Sequence, residues 1–233
     1  MSTSDRLAPS ARTTGVVLAV SLAAGITGAL LGIAWSAMTG VDMGMWVLAR
    51  ASGLVAYLLL TAVTVLGLIL ARPPRTGARL LAIAQRLRLH VLLAIFALVF
   101  IIVHAVVLAI DPWAEVGWAG VLLPFGSTYR PLAVTLGLLA TWSALISGAT
   151  ASLASRGLGG LWLPLHRVAA AGWLLAWLHG VLAGSDTGAW LWMYAVTGVL
   201  VLVLAVRRMT APAPADDLRE LTTERMPREE VLA

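Results

Sequence analysis

Cysteine is absent from the 233 residues, and so is lysine; all 16 basic side chains are arginine. Without cysteine there are no disulfides, no iron–sulfur clusters, no thiolate-ligated haem and no C-x-x-C-H haem attachment. Any cofactor must be held by nitrogen, by oxygen or by packing. Charge is also scarce: charged residues make up 12% of the chain, about half the share of an ordinary soluble domain. Carboxylates are few, and every Asp and Glu falls in an expected loop or tail. That argues against a proton or ion pump, which needs acidic groups at membrane depth. There is no H-E-x-x-H motif for a zinc protease. The "GLGG" at 157–160 follows no strand, so it reads as a turn and not as a dinucleotide fingerprint.

What is present is apolar. Hydrophobic residues make up 60% of the chain and mean hydropathy is +0.93. Several runs exceed the roughly 18–20 residues needed to cross a bilayer core. They are continuous and do not alternate as barrel strands do. The fold class expected is all-α, a polytopic membrane bundle of six spans: about 14–38, 46–71, 89–110, 131–153, 163–184 and 188–206. Residues 1–13 precede the bundle, which occupies 14–206, and residues 207–233 form a polar, proline-bearing tail expected to be disordered. The first span is too long for a signal-peptide core and reads as a retained anchor.

Arginine sets the expected orientation. The stretch "RPPRTGARLLAIAQRLR" holds Arg72, Arg75, Arg79, Arg86 and Arg88; Arg156 follows span four, and Arg207 and Arg208 follow span six. The opposite loops carry Asp42, Asp111, Glu115 and Asp186, with Arg130 their one basic residue. By the positive-inside rule both termini face the cytoplasm, and the chain is a multi-pass protein of the inner or plasma membrane. This placement also explains the net charge of +5 without nucleic acid.

All four histidines fall inside predicted spans. In "RLRLHVLLAIFALVFIIVHAVVLAID", His90 and His104 form a His-x13-His pattern; on span five, His166 and His179 form His-x12-His. Both spans run outward from the cytoplasmic side, so His90 and His166 share an inner level, and His104 and His179 an outer one. A 14-residue step is about 21 Å of helix and returns to nearly the same face. A 13-residue step leaves an offset of about 140°, a tension that the sequence does not resolve. Two levels of paired imidazoles suit two stacked cofactors, and neutral imidazole is an axial ligand of haem iron. Ligation on both sides leaves no open position, which favours electron transfer over oxygen binding. Ala94, Ala97, Ala169, Ala170 and Gly172 are small enough to admit a flat macrocycle, or simply a neighbouring helix. Haem propionates need cations: Arg86, Arg88 and Arg167 lie at the inner level. Arg50 lies a turn inside the outer end of span two, where Tyr129 and Arg130 also flank the outer level. The competing reading is a haem-free transporter or scaffold whose histidines only hydrogen-bond within the bundle.

The stretches "LHVLLAIFALVFIIVHAVVL", "STYRPLAVTLG" and "LPLHRVAAAGWLLAWLHGVLAGSDTG" resemble the ferric reductase-like transmembrane domain. That superfamily includes ferric reductases, NADPH oxidases and the membrane haem subunit that serves periplasmic methionine sulfoxide reductase. The likeness covers roughly residues 46–206. It implies a b-type cytochrome with two haems, one ligated by His90 with His166 and the other by His104 with His179. Arg50 would be the counterpart of an outer-haem arginine, with Arg88 and Arg167 at the inner propionates. Electrons would pass from a cytoplasmic-side donor to an extracytoplasmic acceptor such as ferric iron, oxygen or a redox protein. The chain has no flavin and nicotinamide domain after its last span, so the donor is expected to be a separate reductase, a quinol or a bound flavin. A relay or anchor subunit of a partner redox enzyme is the alternative role.

Overall fold

A computed structural model describes residues 44–70, 80–153 and 162–210, with isolated positions at 34, 37 and 38; among the described residues every regular element is helical. The helices are α1 (Gly44–Leu70), α2 (Leu80–Ile110), α3 (Gly117–Leu122), α4 (Pro131–Leu153), α5 (Trp162–Ala183) and α6 (Thr187–Met209), with one 3₁₀ turn at Pro112–Ala114. The expected first span, the arginines at 72, 75, 79 and 156, the "GLGG" and the tail beyond 210 lie outside the described residues.

Among the described residues, four helical stretches are long and apolar enough to cross a membrane: Gly44–Leu70, Gln85–Ile110, Pro131–Ala151 and Thr187–Met209. Helix α5 has the length, at 22 residues, but carries two histidines, Arg167 and three tryptophans, which lower its hydropathy. Helix α2 is longer than its expected span. It begins at Leu80, so Arg86 and Arg88 sit on helix and not in a loop. Its 31 residues span about 46 Å, longer than an apolar core of about 30 Å. The segment between α2 and α4, expected to be plain loop, folds into the 3₁₀ turn and α3. Asp111 starts the turn: its carboxylate accepts from the Trp113 N–H at 3.0 Å, with Pro112 supplying the fixed φ of a first helical position.

The apolar surface faces outward. On α2, Val91, Ile95, Val99, Ile102, Val106 and Ile110 recur every three or four residues and are all exposed, while Leu92, Ala97 and Val107 are buried. A stripe of that length suits lipid rather than water. Polar side chains turn inward and are satisfied locally. Ser52, Thr61, Ser143, Ser147 and Thr150 are buried, and each hydroxyl donates to a carbonyl one turn earlier on its own helix.

Two antiparallel hairpins, α1–α2 and α4–α5, form the frame, and α6 packs on α1 and α5. The histidine-bearing helices α2 and α5 do not pack closely on each other; each leans on its own hairpin partner, leaving a gap between them. Near mid-depth, Trp173 of α5 is buried and donates from Nε1 to the Thr61 hydroxyl of α1 at 3.0 Å, tying the hairpins together. Tyr57 and Tyr194 pack with ring centres 5.1 Å apart and planes tilted by 53°, and join α1 to α6.

Candidate functional site

Across the gap between α2 and α5 the histidines meet in pairs. His90 faces His166 with ring centres 6.1 Å apart and ring planes at 66°; His104 faces His179 at 6.3 Å and 77°. The first pair lies toward the end that carries Arg86, Arg88, Arg207 and Arg208, here the basic end. The second lies toward the end covered by the 3₁₀ turn and α3, here the capped end.

Backbone carbonyls of the hairpin partners hold the rings. His104 Nδ1 lies 2.8 Å from the Ala49 carbonyl, His179 Nδ1 2.7 Å from Ala133, and His166 Nδ1 3.2 Å from Ser147. A carbonyl only accepts, so each of these Nδ1 atoms carries the proton and Nε2 is the ring's acceptor nitrogen. His90 differs: its Nδ1 is buried, and the Val63 carbonyl is within reach but outside hydrogen-bond geometry. Three rings also lie against glycine. A methyl group at Gly53 would stand 2.9 Å from His104, one at Gly137 2.7 Å from His179, and one at Gly67 3.3 Å from His90.

These distances bear on which group the pairs fit. Two imidazoles on opposite sides of one metal, with bonds of about 2.0–2.1 Å and ring centres about 1.1 Å behind the bonding nitrogens, have centres about 6.3 Å apart. The observed 6.1 and 6.3 Å match, and they exceed the reach of a direct hydrogen bond between the rings. Among the described residues no three of His, Cys, Asp or Glu gather as a metal cluster, so the ligand set on offer is two imidazoles per level. A cavity of about 420 Å³ opens at the capped level, lined by His104, His179, Gly53, Gly137, Tyr129 and Trp190 among others. A macrocycle supplying the remaining ligands in a plane suits a two-imidazole site with a gap beside it. The donor set and the spacing fit haem.

The shorter histidine step on α5 is accommodated by register. On α4 the acceptors Ala133 and Ser147 repeat the interval of His90 and His104, a residue wider than the interval between His166 and His179, which reach them. One ring is therefore a residue out of step, and its bond, at His166, is the longer of the two. Gly172 fits closely between the levels, where a methyl group would stand 2.6 Å from Ser143 Cβ. Ala97 is buried as well, whereas Ala170 is exposed.

The arginines separate. Arg50 pairs with the Asp186 carboxylate, donates to the Ser185 hydroxyl and stacks on Trp46 at 4.8 Å. Its partner is thus the turn before α6, at the rim of the capped cavity. Arg130 donates to the Leu182 carbonyl at 2.6 Å and the Tyr129 hydroxyl to Ala183 at 2.7 Å, so both cap the C-terminus of α5. Their backbone holds a strained turn, with Arg130 at φ 38°. At the basic end, Arg88 has a buried Nε with no hydrogen-bond partner among the described residues, and Arg167 is exposed beside His166.

The sequence reading missed the carbonyls, the opposed glycines and the Arg50–Asp186 pair. One signal was available: Gly53 and Gly67 on α1 repeat the same step as His90 and His104 on α2. No family model, curated protein or solved structure matches the chain.

Proposed function

We propose that this chain is a transmembrane electron-transfer protein that holds two b-type haems, one between His90 and His166 and one between His104 and His179. The observation that carries the reading is the spacing of the two imidazole pairs, 6.1 and 6.3 Å between centres, with Nδ1 of three rings committed to carbonyls. Haem supplies one-electron chemistry at its iron, and ligation on both sides leaves no position for a substrate there.

The protein's own part is to hold and insulate. The carbonyls of Ala49, Ala133 and Ser147 fix ring tautomer and orientation and raise the basicity of each ligating nitrogen. The lipid-facing stripe of α2 and the buried Trp173 keep water from the space between the levels. The step from His90 to His104 separates the levels by about 21 Å along the helix. In this reading the basic end is cytoplasmic, six helices cross the membrane with both termini inside, and α5 crosses by virtue of its partners. Arg88 and Arg167 serve the carboxylates of the cytoplasmic-side group. Arg50, balanced by Asp186, stands at the rim of the other. A donor at the cytoplasmic face and an acceptor at the far face complete the transfer, as the likeness to ferric reductase-like domains implies.

The test is a reduced-minus-oxidised absorption spectrum of the full chain purified after haem-replete expression, with haem counted per chain. A b-type spectrum with about two haems per chain is expected. Colourless protein would overturn the reading in favour of structural histidines in a haem-free scaffold.

A further inference from the structure

The glycines and carbonyls around the histidines form a pattern. Ala49 precedes Gly53 by four residues, Val63 precedes Gly67 by four, and Ala133 precedes Gly137 by four. In each case the later residue lies against a histidine ring; Ala49 and Ala133 supply the carbonyls those rings bond, while Val63 lies near His90 without a bond in hydrogen-bond geometry. Helix geometry explains the step. The carbonyl of residue i already accepts from the N–H of residue i+4, and its second lone pair is screened by the side chain at that position. Glycine at i+4 removes the screen and lets a ring from the next helix reach the carbonyl. The fourth case departs from the rule: Ser147 is followed four residues later by Ala151, and the His166 bond is the longest of the three, at 3.2 Å.

We infer that hairpins α1–α2 and α4–α5 carry one repeated histidine-holding device, a carbonyl uncovered by a glycine one turn later, and that it is complete only at the capped level. There both rings hold short bonds, 2.8 and 2.7 Å, against glycines on which a methyl group would stand within 3 Å of the ring. At the basic level one ring has the longer bond and the other has none in hydrogen-bond geometry. Gly53 and Gly137 are therefore positioning residues. The inference rests on the two-haem reading for its redox consequence: stronger donation through Nδ1 makes the ligating nitrogen more basic and favours ferric iron, so the capped-level haem has the lower midpoint potential.

The experiment compares the full chain with Gly53→Ala, Gly137→Ala, Gly67→Ala and Gly148→Ala. The last is a control on α4, since a methyl group there meets only Leu98, at 3.7 Å. Haem per chain and midpoint potentials are read for each. The device predicts that Gly53→Ala and Gly137→Ala each lose the lower-potential haem, falling from about two haems per chain to about one, while Gly67→Ala and Gly148→Ala keep both. Equal losses in all four variants, or none in the first two, would overturn it. Nitrogen-15 NMR of the histidines in the haem-free wild type supplies a reading that needs neither haem nor a variant that folds. His104 and His179 fixed as Nδ1–H tautomers support the device; Nε2–H tautomers at those two rings overturn it. A wild type that binds no haem defeats the two-haem reading and leaves the tautomers to decide this one.

Discussion

Hairpin α1–α2 spaces its histidines a residue wider than hairpin α4–α5 does, yet both deliver rings to the same two levels. The difference is taken up in hydrogen bonding rather than in the distance across the pair. The pairs are 6.1 and 6.3 Å apart, while the carbonyl bonds run from 2.7 Å to none. What the bundle holds constant is the separation of facing imidazoles, the quantity a shared metal would require. What it lets vary is the second contact of each ring, which sets how firmly the ring's tautomer and orientation are held.

Substitutions that separate the levels break the comparison most sharply. His104→Leu is expected to abolish the capped-level haem and His90→Leu the basic-level one, each leaving about half the wild-type haem, and the double variant none. Haem counts on purified protein check this, and loss of all haem in either single variant would show that the levels are not independent. Next in size is the Arg50–Asp186 pair at the rim of the capped level. Asp186→Leu leaves the Arg50 cation without its carboxylate and, with both side chains partly exposed, is expected to cost about 1 kcal/mol. Much of this should return when Arg50→Leu is added, as a double-mutant cycle of thermal unfolding in detergent would reveal. Smaller still is Trp173→Phe, which removes the bond to Thr61 midway between the levels. It should cost about 0.6 kcal/mol and weaken haem retention at both levels alike. Smallest is Tyr129→Phe, which frees the Ala183 carbonyl at the end of α5. A loss of a few tenths of a kcal/mol is expected, with any effect on haem confined to the capped level.

The helical frame and the four histidines were legible because apolar run length and residue spacing are local properties. Pro131 marks the start of α4 where it was expected, and His90 and His104 repeat close to a whole number of turns. The partners of those residues were not legible. Ala49, Ala133 and Ser147 act through their carbonyls, which every residue has, so the side chain gives no sign. Arg50 and Asp186 are far apart in the chain, and only the packing of α6 beside α1 brings them together. Arg130 and Tyr129 were expected to line the outer level. Tyr129 does line the cavity, but both are committed to the last carbonyls of α5, a demand that arises only once that helix ends at Ala183. The N-terminal start of α2 at Leu80 was obscured because Arg86 and Arg88 on its early turns continue the arginine-rich stretch that begins at Arg72 and reads as a basic loop.

The most direct measurement is low-temperature electron paramagnetic resonance of the oxidised, purified chain. Facing imidazoles whose planes cross at 66° and 77° give a strongly anisotropic low-spin ferric signal when both ligate one iron. The account predicts two such signals, together integrating to about two spins per chain, with one lost in His104→Leu and the other in His90→Leu. A high-spin ferric signal would mean that at least one level lacks its second imidazole. The absence of any ferric signal in haem-replete protein would contradict the account altogether.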